Sequence, residues 1–130
     1  MVLIDSSPWI DLLSGSFTAE AQLLERWLRD GTPVATTGIV LQEVLQGART
    51  DRELLLLRNR LGRLPFLRSD KETHVEAARF YRKARACGGV VPAADALIAA
   101  TAVAHGVSLL TVDLRHFRAL ARVSKLRLAN

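Results

Sequence analysis

The sequence predicts a three-layer α/β fold: a twisted, mostly parallel sheet of four to five strands with helices on both faces. Three observations carry this expectation. Short apolar runs alternate with longer segments of helical periodicity, most of these segments carry a cap or stop signal, and aspartates directly follow two of the apolar runs. With 130 residues and no linker or repeat, the chain is read as one domain, 1–130, burying roughly two-thirds of its unfolded surface.

Taken in order, Val2–Ile4 is a short apolar run that suits a buried central strand. Ser6 or Ser7 is expected to cap a helix that tolerates Pro8 in its first turn and stops at Gly15. A second helix is predicted over Ala19–Arg29, with Leu24, Trp27 and Leu28 on one face and Gly31 as its stop. Pro33–Thr36 reads as the next strand, and Thr37 as the cap of a helix running to Gln46. Thr50–Glu53 and Ser69–Glu72 match capping boxes, opening arginine-rich helices to about Leu61 and about Cys87. Leu64–Leu67 between them is expected as an edge strand. Gly88–Gly89 breaks the chain, Pro92 restarts it, and the next helix ends at Gly106. Val107–Leu110 is a strand, Asp113 precedes a short helix holding Phe117 and Leu120, and Ser124–Leu128 is a candidate last edge strand.

Composition narrows the function classes. No apolar run approaches the roughly 20 residues of a membrane helix, and no basic-then-apolar leader opens the chain, so a cytoplasmic protein without a membrane partner is expected. The single Cys87 excludes an intrachain disulfide and a cysteine-rich zinc site. Charge is uneven. Residues 1–48 hold two arginines against six carboxylates, whereas residues 49–130 hold sixteen Lys/Arg against seven. A pI near 10.3 favours a polyanionic partner, because phosphates bind such surfaces through counterion release.

Four carboxylates stand out. Asp95 lies in the first turn of an apolar, alanine-rich helix, where an unpaired buried charge is costly and needs the helix dipole, a cation or water. Asp5 and Asp113 each follow an apolar strand, on one carboxyl edge if the sheet is parallel, and Glu43 is the only ionised side chain of its helix. Taken singly, each also reads as a cap or a surface residue. Converging without a cation, they would repel one another and raise their own pKa values. A hard divalent ion, Mg²⁺ or Mn²⁺, resolves that conflict, since it takes carboxylate oxygens together with water and substrate phosphate.

The segments Leu3–Leu13, Leu41–Gly47, Asp95–Thr101 and Leu109–Phe117 together resemble PIN-domain ribonucleases, above all the VapC toxins of toxin–antitoxin pairs. The four motifs stand in family-like order and span nearly the whole chain. The resemblance implies a PIN-like fold and an endoribonuclease dependent on Mg²⁺ or Mn²⁺, with Asp5, Glu43, Asp95 and Asp113 as catalytic metal ligands. It also implies hydrolysis of an RNA phosphodiester by metal-activated water, a homodimer, and neutralisation by a cognate VapB-like antitoxin. Ser6 and Thr111 match small polar positions that support the pocket. Pro8 departs from the small aliphatic residue common in the family, but Pro suits a first helical turn. The alternative is a non-catalytic PIN-like module that binds RNA or protein through its basic face.

Other residues are assigned lesser roles. Arg115 and Arg118, nearest Asp113 in sequence, are the first candidates for phosphate contact. His116 reads as an exposed histidine on a short helix, and His74 and His105 as structural. Trp9 and Trp27 read as core rather than base-stacking platforms. Without a nearby His/Cys set, zinc is not expected.

Overall fold

The computed structural model describes residues 1–130 and forms around four short strands: β1 (Val2–Ile4), β2 (Val34–Thr37), β3 (Phe66–Leu67) and β4 (Ser108–Leu110). All pair in parallel, in the spatial order β3-β2-β1-β4. Seven helices flank them: α1 (Ser6–Ser14), α2 (Ala19–Asp30), α3 (Gly38–Gln46), α4 (Asp51–Leu61), α5 (Lys71–Ala86), α6 (Ala93–Ala104) and α7 (Leu114–Arg122). The chain steps outward from β1 to β2 and β3, then returns to β4 on the other side of β1. Right-handed crossovers in these two directions put their helices on opposite faces of the sheet. Packing follows suit, with α1 against α2 and α3, α3 against α4, and α5 and α7 against α6.

The central strand is apolar throughout because both its faces are covered. Leu3 and Ile4 have no exposed surface, and Leu109 and Leu110 beside them have none either. Leu24, Ile98, Phe117 and Leu120 complete the innermost packing. Each fully buried side chain of this size contributes about 1.5–3 kcal/mol. The alanines of α6 (Ala96, Ala99, Ala100, Ala102) are buried, and their small volume lets α5 lie close along it.

Several local expectations are corrected. Asp5, not Ser6 or Ser7, takes the N-cap position of α1, and its side chain makes no capping bond. Ser69 does not cap α5. Asp70 does, accepting from the Thr73 amide and hydroxyl, both at 2.9 Å, while Ser69 lies 2.8 Å from the Thr101 hydroxyl on α6. Thr37 precedes α3 without a side-chain cap and instead donates to Leu67 O at 2.6 Å, tying β2 to the end of β3. The Ser124–Leu128 strand shrinks to a single parallel bridge between Leu128 and Leu109, because Ser124 turns back to donate to Leu120 O. Gly15 and Gly31 end their helices as expected, at φ of 80° and 75°, a region that penalises a Cβ.

Candidate active site at the carboxyl edge of the sheet

The reversal of strand order places a crevice beyond the carboxyl ends of β1 and β4, the position at which open α/β sheets bind ligands. Two of the acids arise from this register. Ile4 pairs with Leu110, so the next residues, Asp5 and Thr111, emerge side by side, and the Asp5 amide donates to Leu110 O at 2.9 Å. Thr111 Oγ1 donates to Asp5 Oδ2 at 2.8 Å and accepts the Asp113 amide at 3.0 Å. One hydroxyl thus links two acids. Ser7 builds a second link, donating to Asp5 Oδ2 at 3.0 Å and accepting the Val112 amide at 3.1 Å.

The other two acids come from helices that follow or feed these strands. Glu43 lies midway along α3, half-buried, and its Oε1 is covered from solvent without a hydrogen-bond partner. Asp95 sits in the first turn of α6 with 14% of its side chain exposed. Asp95 lies within electrostatic reach of the other three acids: Asp5, Asp113 and, least, Glu43 each raise its pKa.

Electrostatics register the crowding. Burial pushes the Asp5 carboxyl above its ordinary value, opposed by the Thr111 hydroxyl, the Ser6 amide and the Ser7 hydroxyl, with Asp113 adding to the rise. Glu43 is raised by burial and then by Asp5, against a Ser6 hydroxyl that favours the charged form. Asp95 is pushed up to about 6, by burial first and then by Asp5 and Asp113; His116 works against the rise and Glu43 with it. A set of acids crowded in this way could hold a cation, whose charge would offset their repulsion. The orphaned Glu43 oxygen points the same way, and oxygen-rich donors of this kind fit a hard divalent ion.

Two residues play parts that the sequence reading missed. His116 is not an exposed histidine. Its side chain is 28% exposed, and Nδ1 lies 2.6 Å from Asp113 Oδ2 and 3.2 Å from Asp95 Oδ2. The available signal was its position at the third residue of α7, one turn from the Asp113 cap, where side chains reach back to the cap. Ser7, rather than Ser6, carries the hydroxyl that bonds Asp5. Arg115 and Arg118 are exposed on α7 and pair with no carboxylate, and Trp9 is core as expected, whereas Trp27 is half-buried. His105 Nε2 lies 2.8 Å from Arg68 O, a structural contact away from the acids.

The PIN domain family profile matches residues 2–123 of the chain. The chain belongs to the PIN-domain family. Ribonuclease VapC19 of Mycobacterium tuberculosis is 32% identical to this PIN domain over 117 residues, covering 90% of this chain and 92% of its own. A toxin–antitoxin complex from Klebsiella pneumoniae superposes with a TM-score of 0.74 at 27% identity, covering 90% of both chains. VapBC2 of Rickettsia felis, solved with a DNA fragment from its promoter, reaches 0.78 at 19% identity over 100% of this chain and 98% of its own, a likeness of fold. No helix of this PIN domain is long and apolar enough to cross a membrane.

Proposed function

We propose that this PIN domain is the toxin of a toxin–antitoxin pair, an endoribonuclease that requires Mg²⁺ or Mn²⁺ and is neutralised by a VapB-like antitoxin. The observation that carries the reading is the meeting of Asp5, Glu43, Asp95 and Asp113 beyond the β1–β4 switch point, on a chain with net charge +5. Likeness to a ribonuclease and to toxin–antitoxin complexes supports it.

In this reading Asp5 and Asp95 are the principal metal ligands, with Glu43 binding directly or through water and Asp113 completing the set. When bound, a hard divalent ion supplies a nucleophilic water at neutral pH and neutralises charge on the phosphodiester under in-line attack. The protein's own groups prepare for that chemistry. Thr111 and Ser7 both donate to Asp5 Oδ2, fixing its orientation and leaving Oδ1 for a ligand. Glu43 Oε1 has no competing bond. Arg115 and Arg118 are placed to receive phosphates flanking the cut, and only Arg29 and Arg79 of the 18 Lys/Arg pair with carboxylates, so the basic surface is free for a polyanion.

The antitoxin has a seat. Trp9, Leu12, Leu13, Leu28, Leu61 and Leu64 line a groove of about 480 Å³ among α1, α2 and α4, holding none of the four acids and suited to an apolar helix. A chain leaving that groove could place an Arg or Lys among the carboxylates in competition with metal. A second groove, between α5 and α6, offers an apolar face for the homodimer.

The test is cleavage of RNA by purified wild type, Asp5→Asn and Asp95→Asn proteins with Mg²⁺ or Mn²⁺, the products read by sequencing 5′-phosphate ends. The expected result is cuts with 5′-phosphate and 3′-hydroxyl ends in the wild type alone. Equal cleavage by both variants overturns the assignment. RNA binding without cleavage or metal uptake favours a non-catalytic module.

A further inference from the structure

We propose that His116 is itself a ligand of the divalent ion, which makes the site a mixed imidazole–carboxylate centre that selects Mn²⁺ over Mg²⁺. The inference rests on the metal-dependent reading above and extends it to a residue outside the acidic quartet. It starts from one atom. Nδ1 of His116 faces both Asp113 Oδ2 at 2.6 Å and Asp95 Oδ2 at 3.2 Å, and the donor atoms of the three residues all lie within 4.8 Å of one another.

A capping role accounts for only half of this. The third residue of a helix commonly bonds its own cap, and His116 does so through both its amide and its ring toward Asp113. Nothing in capping brings the same ring nitrogen to Asp95, which belongs to a different helix. The ring is also turned inward, while its neighbours Arg115 and Arg118 are exposed.

The spacing suits ligation. Two atoms bound at right angles to one ion, each with a bond of about 2.1 Å, stand about 3 Å apart. The 3.2 Å separation from Asp95 already meets that, and the Asp113 contact reaches it with a small rotation of an exposed carboxylate. Without metal, Nδ1 carries the proton it shares with the carboxylates; an incoming ion would displace that proton to solvent, and the imidazole, keeping its proton on Nε2, would offer the Nδ1 lone pair in its place. Magnesium ions accept nitrogen poorly, whereas first-row transition ions accept imidazole readily. The carboxylate majority of the site selects Mn²⁺ among these. Asp5 and Glu43, whose charges also raise the Asp95 carboxyl, complete the ligand set around the same ion, Asp5 directly and Glu43 directly or through water.

The test uses the full-length protein loaded with Mn²⁺ and read by pulsed electron paramagnetic resonance, with Mn²⁺ and Mg²⁺ affinities from calorimetry. The wild type should show ¹⁴N coupling from a directly bound imidazole, and His116→Gln should lose it. Mn²⁺ should bind the wild type about tenfold more tightly than Mg²⁺, and His116→Gln should erase most of that preference with little change for Mg²⁺. Bound Mn²⁺ that Asp95→Asn abolishes, but without ¹⁴N coupling in the wild type, overturns the ligand role and leaves the acidic centre standing. A wild type that binds no Mn²⁺ overturns the centre and the inference together. Because the coupling is read on the wild type, the outcome does not depend on how well any variant folds.

Discussion

Asp95 is the residue at which charge, burial and pH meet. Its carboxyl titrates at about 6, above the ordinary 3.8, so the folded protein takes up its proton more readily than the unfolded chain does. The sign follows from linkage: the native state holds more protons between pH 4 and 6, and stability therefore falls as pH rises through that window. The ionised carboxylate therefore destabilises the metal-free fold above pH 6. Asp5 and Glu43 are raised as well and act in the same direction. Asp70, held low by the Thr73 amide and hydroxyl, acts oppositely, and only below about pH 4. Metal-free protein should therefore melt at a higher temperature at pH 5 than at pH 7, and Asp95→Asn should flatten that difference. A melting temperature independent of pH between 5 and 7 in the wild type would remove the basis for this account. Thr111 is the second critical residue, because its wholly buried hydroxyl serves Asp5 and Asp113 at once. Thr111→Val keeps the volume but removes one of the two hydroxyl donors to the buried Asp5 and leaves the Asp113 amide without its acceptor, at a cost of about 1–3 kcal/mol. Urea unfolding at pH 7 should show that loss, accompanied by weaker metal binding.

At the scale of elements, α7 combines two duties that a mutation can separate. Asp113 is both the N-cap of this helix and one of the four acids. Asn caps helices about as well as Asp, whereas Ala costs about 1 kcal/mol at such a position. Asp113→Asn should keep wild-type stability at neutral pH and bind metal less tightly, while Asp113→Ala should lose both stability and affinity. Equal metal affinity in all three proteins by calorimetry would leave Asp113 a cap alone. The elements also show what a sequence can carry. Val2–Ile4 and Val107–Leu110 were legible as strands because a run buried on both faces is apolar throughout, and their following aspartates came with them. Glycine stops and the Thr50 cap were legible because they are local. His116 and Ser7 were not, since their partners Asp95 and Val112 lie 21 and 105 residues away in the chain. Ser69 failed for the same reason, its hydroxyl lying against Thr101 32 residues away, whereas the last strand failed locally, Ser124 donating to Leu120 O four residues back at the end of α7.

On the scale of the whole molecule, the fold keeps two opposed charge systems apart and uses both. The four acids gather where β1 and β4 end, Asp5 and Glu43 from the net-negative residues 1–48 and Asp95 and Asp113 from the net-positive remainder, which spreads arginines over α4, α5 and α7. A polyanion approaching the bare acidic pocket is repelled at close range but attracted by the chain as a whole, whose net charge is +5. Binding of RNA should then depend steeply on salt even when catalysis is disabled. Each phosphate neutralised on a single strand contributes a slope of about −0.7 to the log–log plot of affinity against salt. In an Asp5→Asn background, which retains the basic surface, the slope for a single-stranded oligonucleotide should be several times that value. Adding Arg115→Ala and Arg118→Ala should flatten it by about 0.7 each if both side chains meet phosphates beside Asp113. Fluorescence anisotropy between 50 and 300 mM salt is sufficient to measure these slopes. An unchanged slope in the double-arginine variant would move the phosphate path off α7 and onto the arginines of α4 or α5, leaving the acidic centre as the end of a different track.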